Sequence, residues 1–336
     1  MASPTRVGVI GASGYAGAIA AQLLQRHPRF ELAYVTARAE AGTRLRDVFP
    51  RTKVDLTLET FDADRHGEVD AAIVGYPHGA AAPTVAALRE RGVRVIDLSA
   101  DFRLTDVGTY EQWYGEHGAP ELFGTATYGL PELYRAQLTD AGLVAGPGCF
   151  PTAALLALAP LARAGLVGDH VIVDAKTGVS GAGRGATETT HFVSANEDLK
   201  PYKVLAHRHT PEIEQELAVA GADRRIVFVP HLAPLSNGEL DSCYVTAARP
   251  TTQDELDVLF HGDYDGEPFV DVLEGRAPGM NEVRETNDCR ISVHWDERTG
   301  QILVFSAIDN LWKGTASQAI QSLNAMFGHP ETEGLL

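Results

Sequence analysis

One cysteine of this chain stands in a setting that points to chemistry. Cys149 lies in GPGCFPT, residues 146–152, between a Pro-Gly bend and a long alanine- and leucine-rich run. A free cysteine is more often buried and inert. Here the bend at Pro147 and Gly148 would present the thiol at the start of a helix beginning near Pro151, where the dipole and unbonded N–H groups favour a thiolate. Cys243 and Cys289 fall in strand-like segments without such a setting and read as structural. Three cysteines with no CxxC pair predict neither a disulfide framework nor a zinc cage, and no metal site is expected.

A thiolate that attacks an acyl group needs a proton carrier close by. HRHTPEIEQEL places His207 and His209 at the start of a predicted helix. They flank Arg208 on what reads as an extended lead-in, and the two rings are expected to diverge. His209, closer to the helix start, is the favoured partner of the thiol, with His207 second.

A second chemical signature opens the chain. RVGVIGASGYAGAIAAQLLQRHP reads as a β-branched strand, a glycine-rich turn and a helix with Ile19, Leu23 and Leu24 on one stripe. Gly11, Gly14 and Gly17, with Ala12, Ser13 and Tyr15 between them, are spaced GxxGxxG, a variant of the dinucleotide fingerprint. They would allow the tight turn, bring backbone N–H groups to a pyrophosphate at the helix N-terminus, and let helix pack on sheet. The next strand, FELAYVTA, ends without the acid that would hold a ribose 2'-hydroxyl. Thr36 and Arg38 stand there instead and suit a 2'-phosphate, so NADP(H) is expected. His78, beside Pro77 and just after the strand VDAAIVGYP, is a further candidate.

The elements that position these residues alternate strand and helix through VDAAIVGYP, TVAALRERG and VRVIDLSA, the pattern of a parallel sheet covered on both faces. Residues 108–135, aromatic and turn-rich, read as loop. Beyond Cys149 a helix near 151–164 leads into strand-like segments, among them HVIVDAKTG, RIVFVPHLAPL, LDSCYVTAA, CRISVHW and QILVFSAID. The last segment, NLWKGTASQAIQSLNAMFG, has a helical period with Ala316, Ile320, Leu323 and Met326 on one side and is placed back on the first domain. The expected class is α/β: a Rossmann-type dinucleotide-binding domain from residues 1–148 plus 312–336, and an α+β catalytic and oligomerisation domain from residues 149–311.

The composition, 336 residues with 44% apolar and 22% charged, is that of an ordinary soluble enzyme. A formal net charge of -17 excludes a general attraction to nucleic acid or anionic membrane. No run approaches the ~20 apolar residues of a membrane span, and the start lacks an export pattern, so a cytoplasmic location is expected.

GASGYAG, DLSADFRL, YGLPEL, GPGCFPT, HRHTPEI and DNLWKGTASQA, in that order over nearly the whole chain, resemble the N-acetyl-gamma-glutamyl-phosphate reductases, arginine-pathway relatives of aspartate-semialdehyde dehydrogenase. The resemblance implies NADPH-dependent reduction of an acyl phosphate to a semialdehyde through a cysteine thioester, in a homodimer or homotetramer. It implies Cys149 as nucleophile, the family's histidine within HRHTPEI, and Asn310 near the nicotinamide. Ser99 in DLSADFRL and Ser180 and Gly181 in the glycine-rich GVSGAGRG complete the expected cofactor contacts. Such a substrate carries a carboxylate and a phosphate, for which Arg103 and Arg184 are the candidates, with Arg208 and Lys176 behind them. One position departs: Ser317 stands where the family more often has glycine. The rivals are a reductase for a neighbouring acyl phosphate and a non-catalytic NADP-binding sensor, in which Cys149 would be inert.

Overall fold

The structure, a computed structural model, describes residues 4–336. The chain forms two compact units, one of residues up to Gly148 together with Thr315–Leu336, the other of Cys149–Gly314.

The first unit holds seven strands: β1 (Thr5–Ile10), β2 (Phe30–Thr36), β3 (Leu58–Glu59), β4 (Ala71–Val74), β5 (Arg94–Asp97), β6 (Thr127–Tyr128) and β7 (Leu143–Ala145). All pair in parallel, in the order β3-β2-β1-β4-β5-β7-β6. The order reverses between β1 and β4, which opens a crevice at the carboxyl ends of these strands. Strands buried on both faces lose their alternation, as β1 and β4 do. Within β1, Gly8 makes room for Tyr34: a β-carbon there would stand 2.1 Å from the phenol ring.

Helices α1 (Tyr15–Gln25), α2 (Leu45–Val48), α3 (Ala63–His66), α4 (Ala82–Arg89), α5 (Val107–Tyr114) and α6 (Pro131–Leu138) belong to this unit. The last two correct the reading of residues 108–135 as loop. The aromatic run hides its helix signals: Asp106 caps α5 by accepting the Thr109 N–H at 2.7 Å, and Pro131 sits in the first turn of α6, where a missing N–H is harmless.

The second unit begins with α7 (Cys149–Arg163), followed by β8 (Val167–Gly178), α8 (Phe192–Ala195), β9 (Lys200–Pro201), α9 (Thr210–Val219), β10 (Val227–Ala233), β11 (Glu239–Ala247), α10 (Gln253–Tyr264), β12 (Val270–Val272), β13 (Cys289–Asp296) and β14 (Gln301–Ile308). Its sheet is mixed, ordered β12-β13-β14-β11-β8-β10-β9, with β8–β10 and β12–β13 parallel and the other pairs antiparallel. Helix α7 packs on β11 and β14, and almost every residue after Cys149 is buried, as its all-round apolar sequence requires. Pro160 inside it cannot donate to the Leu156 carbonyl; the Tyr264 hydroxyl of α10 does so instead at 2.5 Å.

The chain returns to the first unit through a widened helical turn, Trp312–Ala316, into α11 (Ser317–Met326), which packs on α1 and α6. Ser317 is fully buried at its start.

Candidate active site

In the first unit the glycine turn has the shape a dinucleotide needs. Gly11 holds φ +81°, and a β-carbon on it would meet the Gly75 carbonyl oxygen at 2.7 Å. A β-carbon on Gly17 would meet the Gly11 oxygen at 2.5 Å, so helix and turn touch only because both lack side chains. Gly14 is less constrained, its nearest neighbour being 3.5 Å away. Gly14 also caps α1 without a side-chain hydrogen bond, and no acid stands in the first turn, leaving the helix N-terminus fit for an anion. Ala12 is fully buried, and Tyr15 packs against Phe49.

Thr36 and Arg38 are separated by the fold. The Thr36 carbonyl accepts the Gly11 and Ala12 N–H groups, and its side chain is fully buried. Arg38 is exposed and stacks its guanidinium over the Tyr76 ring at 4.5 Å.

The ends of β4 and β5 are tied together by an acid that sequence reading missed. Asp101, fully buried, accepts the Gly79 N–H at 2.7 Å and the Ala82 N–H at 3.0 Å, so it caps α4 and fixes the loop carrying Pro77 and His78. The Ala100 N–H in turn donates to His78 Nδ1. Ser99 is buried, its hydroxyl bonded to Asp97 at 2.5 Å. Asp97 is pushed up to about 7, by burial above all, with the two Ser99 hydrogen bonds opposing it. Arg103, expected on the substrate, is buried and gives its Nε to the Gly146 carbonyl at 2.7 Å and one Nη to the Leu98 carbonyl at 2.9 Å.

In the second unit Cys149 is itself the first residue of α7, two positions earlier than the sequence pattern suggested, and stays partly exposed. The expectation of a thiolate-favouring setting is reversed. Protein packed around the thiol pushes it well above its ordinary value, and the buried Glu239 carboxyl beside it pushes the same way; only the Phe150 backbone N–H opposes them. Glu239 is pushed up to about 8, again mainly by burial. Sequence reading passed over it as an ordinary residue of a strand. A charge at an inward position of LDSCYVTAA and its forerunner NGE was the available signal.

The two histidines do not diverge. A turn closed by the Thr210 N–H on the His207 carbonyl folds the lead-in, and the rings lie 4.8 Å apart in a T-shaped pair. Both rest on Phe150, the residue after Cys149, at 5.6 and 5.8 Å between centroids. His207 is buried and accepts the His209 N–H at Nδ1, which fixes its orientation. His209 stands at the start of α9, half-buried.

Asn310 joins two loops. Its Nδ2 donates to the Ser180 hydroxyl at 3.0 Å and its Oδ1 accepts the Gly238 N–H at 2.8 Å; Gly181 follows in the same turn. Lys176 projects from the opposite side of β8 to Thr177, bonded to Asp174 at 2.6 Å, so it faces away from the thiol. Arg184 and Arg208 are exposed. Among the described residues no cluster of His, Cys, Asp or Glu could hold a metal ion, and no helix is long and apolar enough to cross a membrane.

Over 98% of its length the chain is 47% identical to the N-acetyl-gamma-glutamyl-phosphate reductase of Moorella thermoacetica, of which it covers 97%. It belongs to the N-acetyl-gamma-glutamyl-phosphate reductase family. The proteins of that name from Halorhodospira halophila and Pelotomaculum thermopropionicum are 47% and 46% identical to it, each over 98% of the chain and 97% of the relative. As the family's two-part architecture requires, residues 6–141 match the semialdehyde dehydrogenase NAD binding domain and residues 149–310 the semialdehyde dehydrogenase dimerisation domain. The first unit is thus a nicotinamide-dinucleotide-binding domain. Solved structures share the fold: an aspartate semialdehyde dehydrogenase II of Vibrio cholerae has a TM-score of 0.74 at 17% identity, over 97% of this chain and 98% of that one. An aspartate semialdehyde dehydrogenase of Candida albicans, solved with NADP, has 0.72 at 15%, over 96% and 98%.

Proposed function

We propose that this protein reduces N-acetyl-gamma-glutamyl phosphate to N-acetylglutamate 5-semialdehyde with NADPH, releasing phosphate, as a step of arginine biosynthesis. One observation carries the reading: a thiol at the head of a buried helix, in a chain 47% identical along its length to a protein of that name.

In this reading the Cys149 sulfur attacks the γ-carbonyl carbon, the S–C bond forms, the bond from carbon to the phosphate oxygen breaks, and a thioester remains. Gly11 to Gly17 would hold the pyrophosphate and Arg38 the 2'-phosphate, with His78 and Ser99 on the loops at the strand ends. Bound there, the reduced nicotinamide supplies the hydride that takes the thioester carbonyl to the aldehyde level. His209 gives a proton to the carbonyl oxygen as charge develops on it and takes one back when the C–S bond breaks. His207, whose Nδ1 is already occupied, holds His209 in place. Asn310 keeps the Ser180 and Gly238 loops together. Arg184 and Arg208, exposed on their loops, are the cations we assign to the substrate's anionic groups, while Arg103 holds the Leu98 and Gly146 carbonyls within the first unit.

We also infer a homo-oligomer, a dimer or tetramer, built on the second unit. The sheet face opposite α7 leaves Ile172 40% exposed among half-buried Tyr244, Leu303 and Phe305.

The test is phosphate-dependent NADP reduction with three aldehydes: N-acetylglutamate semialdehyde, aspartate semialdehyde and a carrier-linked aminoadipate semialdehyde. The reading expects the first to be oxidised at least about 100-fold more efficiently, a discrimination of about 2.7 kcal/mol. Equal or reversed preference contradicts it.

A further inference from the structure

Arg38 is held differently from the arginines that follow it in the first unit. Arg44 and Arg46 lie 3.0 and 3.1 Å from Asp55, and Arg65 lies 2.9 Å from Glu59. Among the described residues Arg38 makes neither an ion pair nor a hydrogen bond, although the chain carries a net charge of -17. Its guanidinium carbon instead stands 4.5 Å from the centre of the Tyr76 ring. The two residues reach each other across a strand: Arg38 follows β2 and Tyr76 follows β4, the neighbours of β1 on either side. Between them the chain leaves β1 through Gly11, where a β-carbon would stand 3.2 Å from Cδ1 of Tyr76. Glycine at the turn therefore leaves room for the ring. Tyr76 is 8% exposed and packs in one cluster with Ile10, Tyr34 and Val74, so the ring is a fixed platform and the arginine the mobile partner.

A carboxylate and an aromatic face hold an arginine with different consequences. A carboxylate takes up guanidinium N–H groups in a forked pair and cancels the charge, so it competes with any phosphate that needs both. An aromatic ring attracts the cation through its quadrupole and occupies none of the five N–H donors. We propose that Tyr76 is the positioning residue for cofactor choice: its ring aims the Arg38 guanidinium and leaves the charge and the donors for the 2'-phosphate that separates NADPH from NADH. The ring face does this, and the phenol hydroxyl takes no part. An unbraced arginine samples many rotamers, and ordering it on the phosphate would cost binding free energy that the ring has already met. The assignment rests on the 2'-phosphate role proposed for Arg38.

The test is the dissociation constant of NADPH and of NADH, each titrated by fluorescence into the full-length protein without acyl substrate. Tyr76→Leu is expected to weaken NADPH by about three- to fivefold, the range of a partly exposed cation–π contact, and NADH little. Tyr76→Phe, which keeps the ring and drops the hydroxyl, is expected to retain the native preference. In an Arg38→Ala background Tyr76→Leu should change NADPH binding no further, because the two residues act as one unit. Should the leucine variant fail to fold, Tyr76→Met carries the same comparison. Equal weakening of both cofactors, a native preference in Tyr76→Leu, a loss in Tyr76→Phe as large as in Tyr76→Leu, or an undiminished effect without Arg38 overturns the assignment. Failure of the underlying reading looks different: Arg38→Ala alone would then weaken NADPH and NADH alike, whereas failure of the present assignment leaves Arg38→Ala selective for NADPH.

Discussion

A β-carbon placed on Gly314 would stand 2.7 Å from the Cβ of Cys149 and 3.2 Å from its Cα. Real β-carbons do not approach so closely, and the neighbour here is the base of a side chain at a helix start, which has little freedom to yield. Gly314→Ala is expected to lower kcat by about tenfold or more and change the alkylation rate of Cys149, at a stability loss within about 1–3 kcal/mol. Turnover, thiol alkylation and urea unfolding on one preparation check this. Unchanged turnover would show that the segment moves freely.

Gly17 makes the corresponding contact in the first unit. Gly17→Ala must part the α1 backbone from the Gly11 carbonyl, now at 2.5 Å from the added carbon. Fluorescence titration is expected to show NADPH binding weakened by about tenfold, the equivalent of about 1.4 kcal/mol. Gly14→Ala, with 3.5 Å of room, should weaken it far less.

Arg38 is exposed at the end of β2 and braced on Tyr76. Arg38→Ala should raise the KM for NADPH by about 10-fold or more and that for NADH little, as loss of a charge-assisted contact to one phosphate would do. Equal losses for the two cofactors would remove the 2'-phosphate from its duties.

Stability should depend on pH in an unusual direction. Asp97 at about 7 and Glu239 at about 8 are carboxyls raised above their unfolded values, so between about pH 4 and those values the native state binds protons that the unfolded chain does not. Stability therefore falls as pH rises through that window, by at most about 1.4 kcal/mol per pH unit for each group. Urea midpoints are expected to be lower near pH 8.5 than near pH 6, and Asp97→Asn should flatten the dependence. A midpoint rising with pH would contradict this.

Local signals carried much of the fold and part of the candidate site. Gly11 and Gly17 announce a tight turn because only glycine fits there, and Cys149 is conspicuous because Pro147 and Gly148 bend the chain just before a long apolar helix. What escaped depends on contacts across the sequence. Glu239 is an unremarkable letter in NGELDS until β8, β11 and β14 come into register and α7 closes over them. The reversal of the thiol's expected acidity follows from the same burial, which outweighs the helix start. Asp101 caps α4 from 19 positions away, beyond any window that reads caps from neighbours. His207 and His209, two residues apart, would share a side even on an extended lead-in, and the turn before α9 brings their rings to 4.8 Å. Helices α5 and α6 were hidden by aromatic residues whose packing reaches outside each helix, Tyr110 on His117 and Phe123 and Tyr134 on Tyr128.

The claim on which the mechanism stands is that the Cys149 sulfur bonds the acyl carbon. Mixing the protein with N-acetyl-gamma-glutamyl phosphate while withholding NADPH, quenching in acid and mapping peptides by mass spectrometry tests it directly. The account predicts an N-acetylglutamyl adduct on Cys149 alone, near one per chain, that disappears when NADPH is added before the quench. Phosphate released with no adduct on Cys149, or an adduct that NADPH leaves untouched, would contradict it.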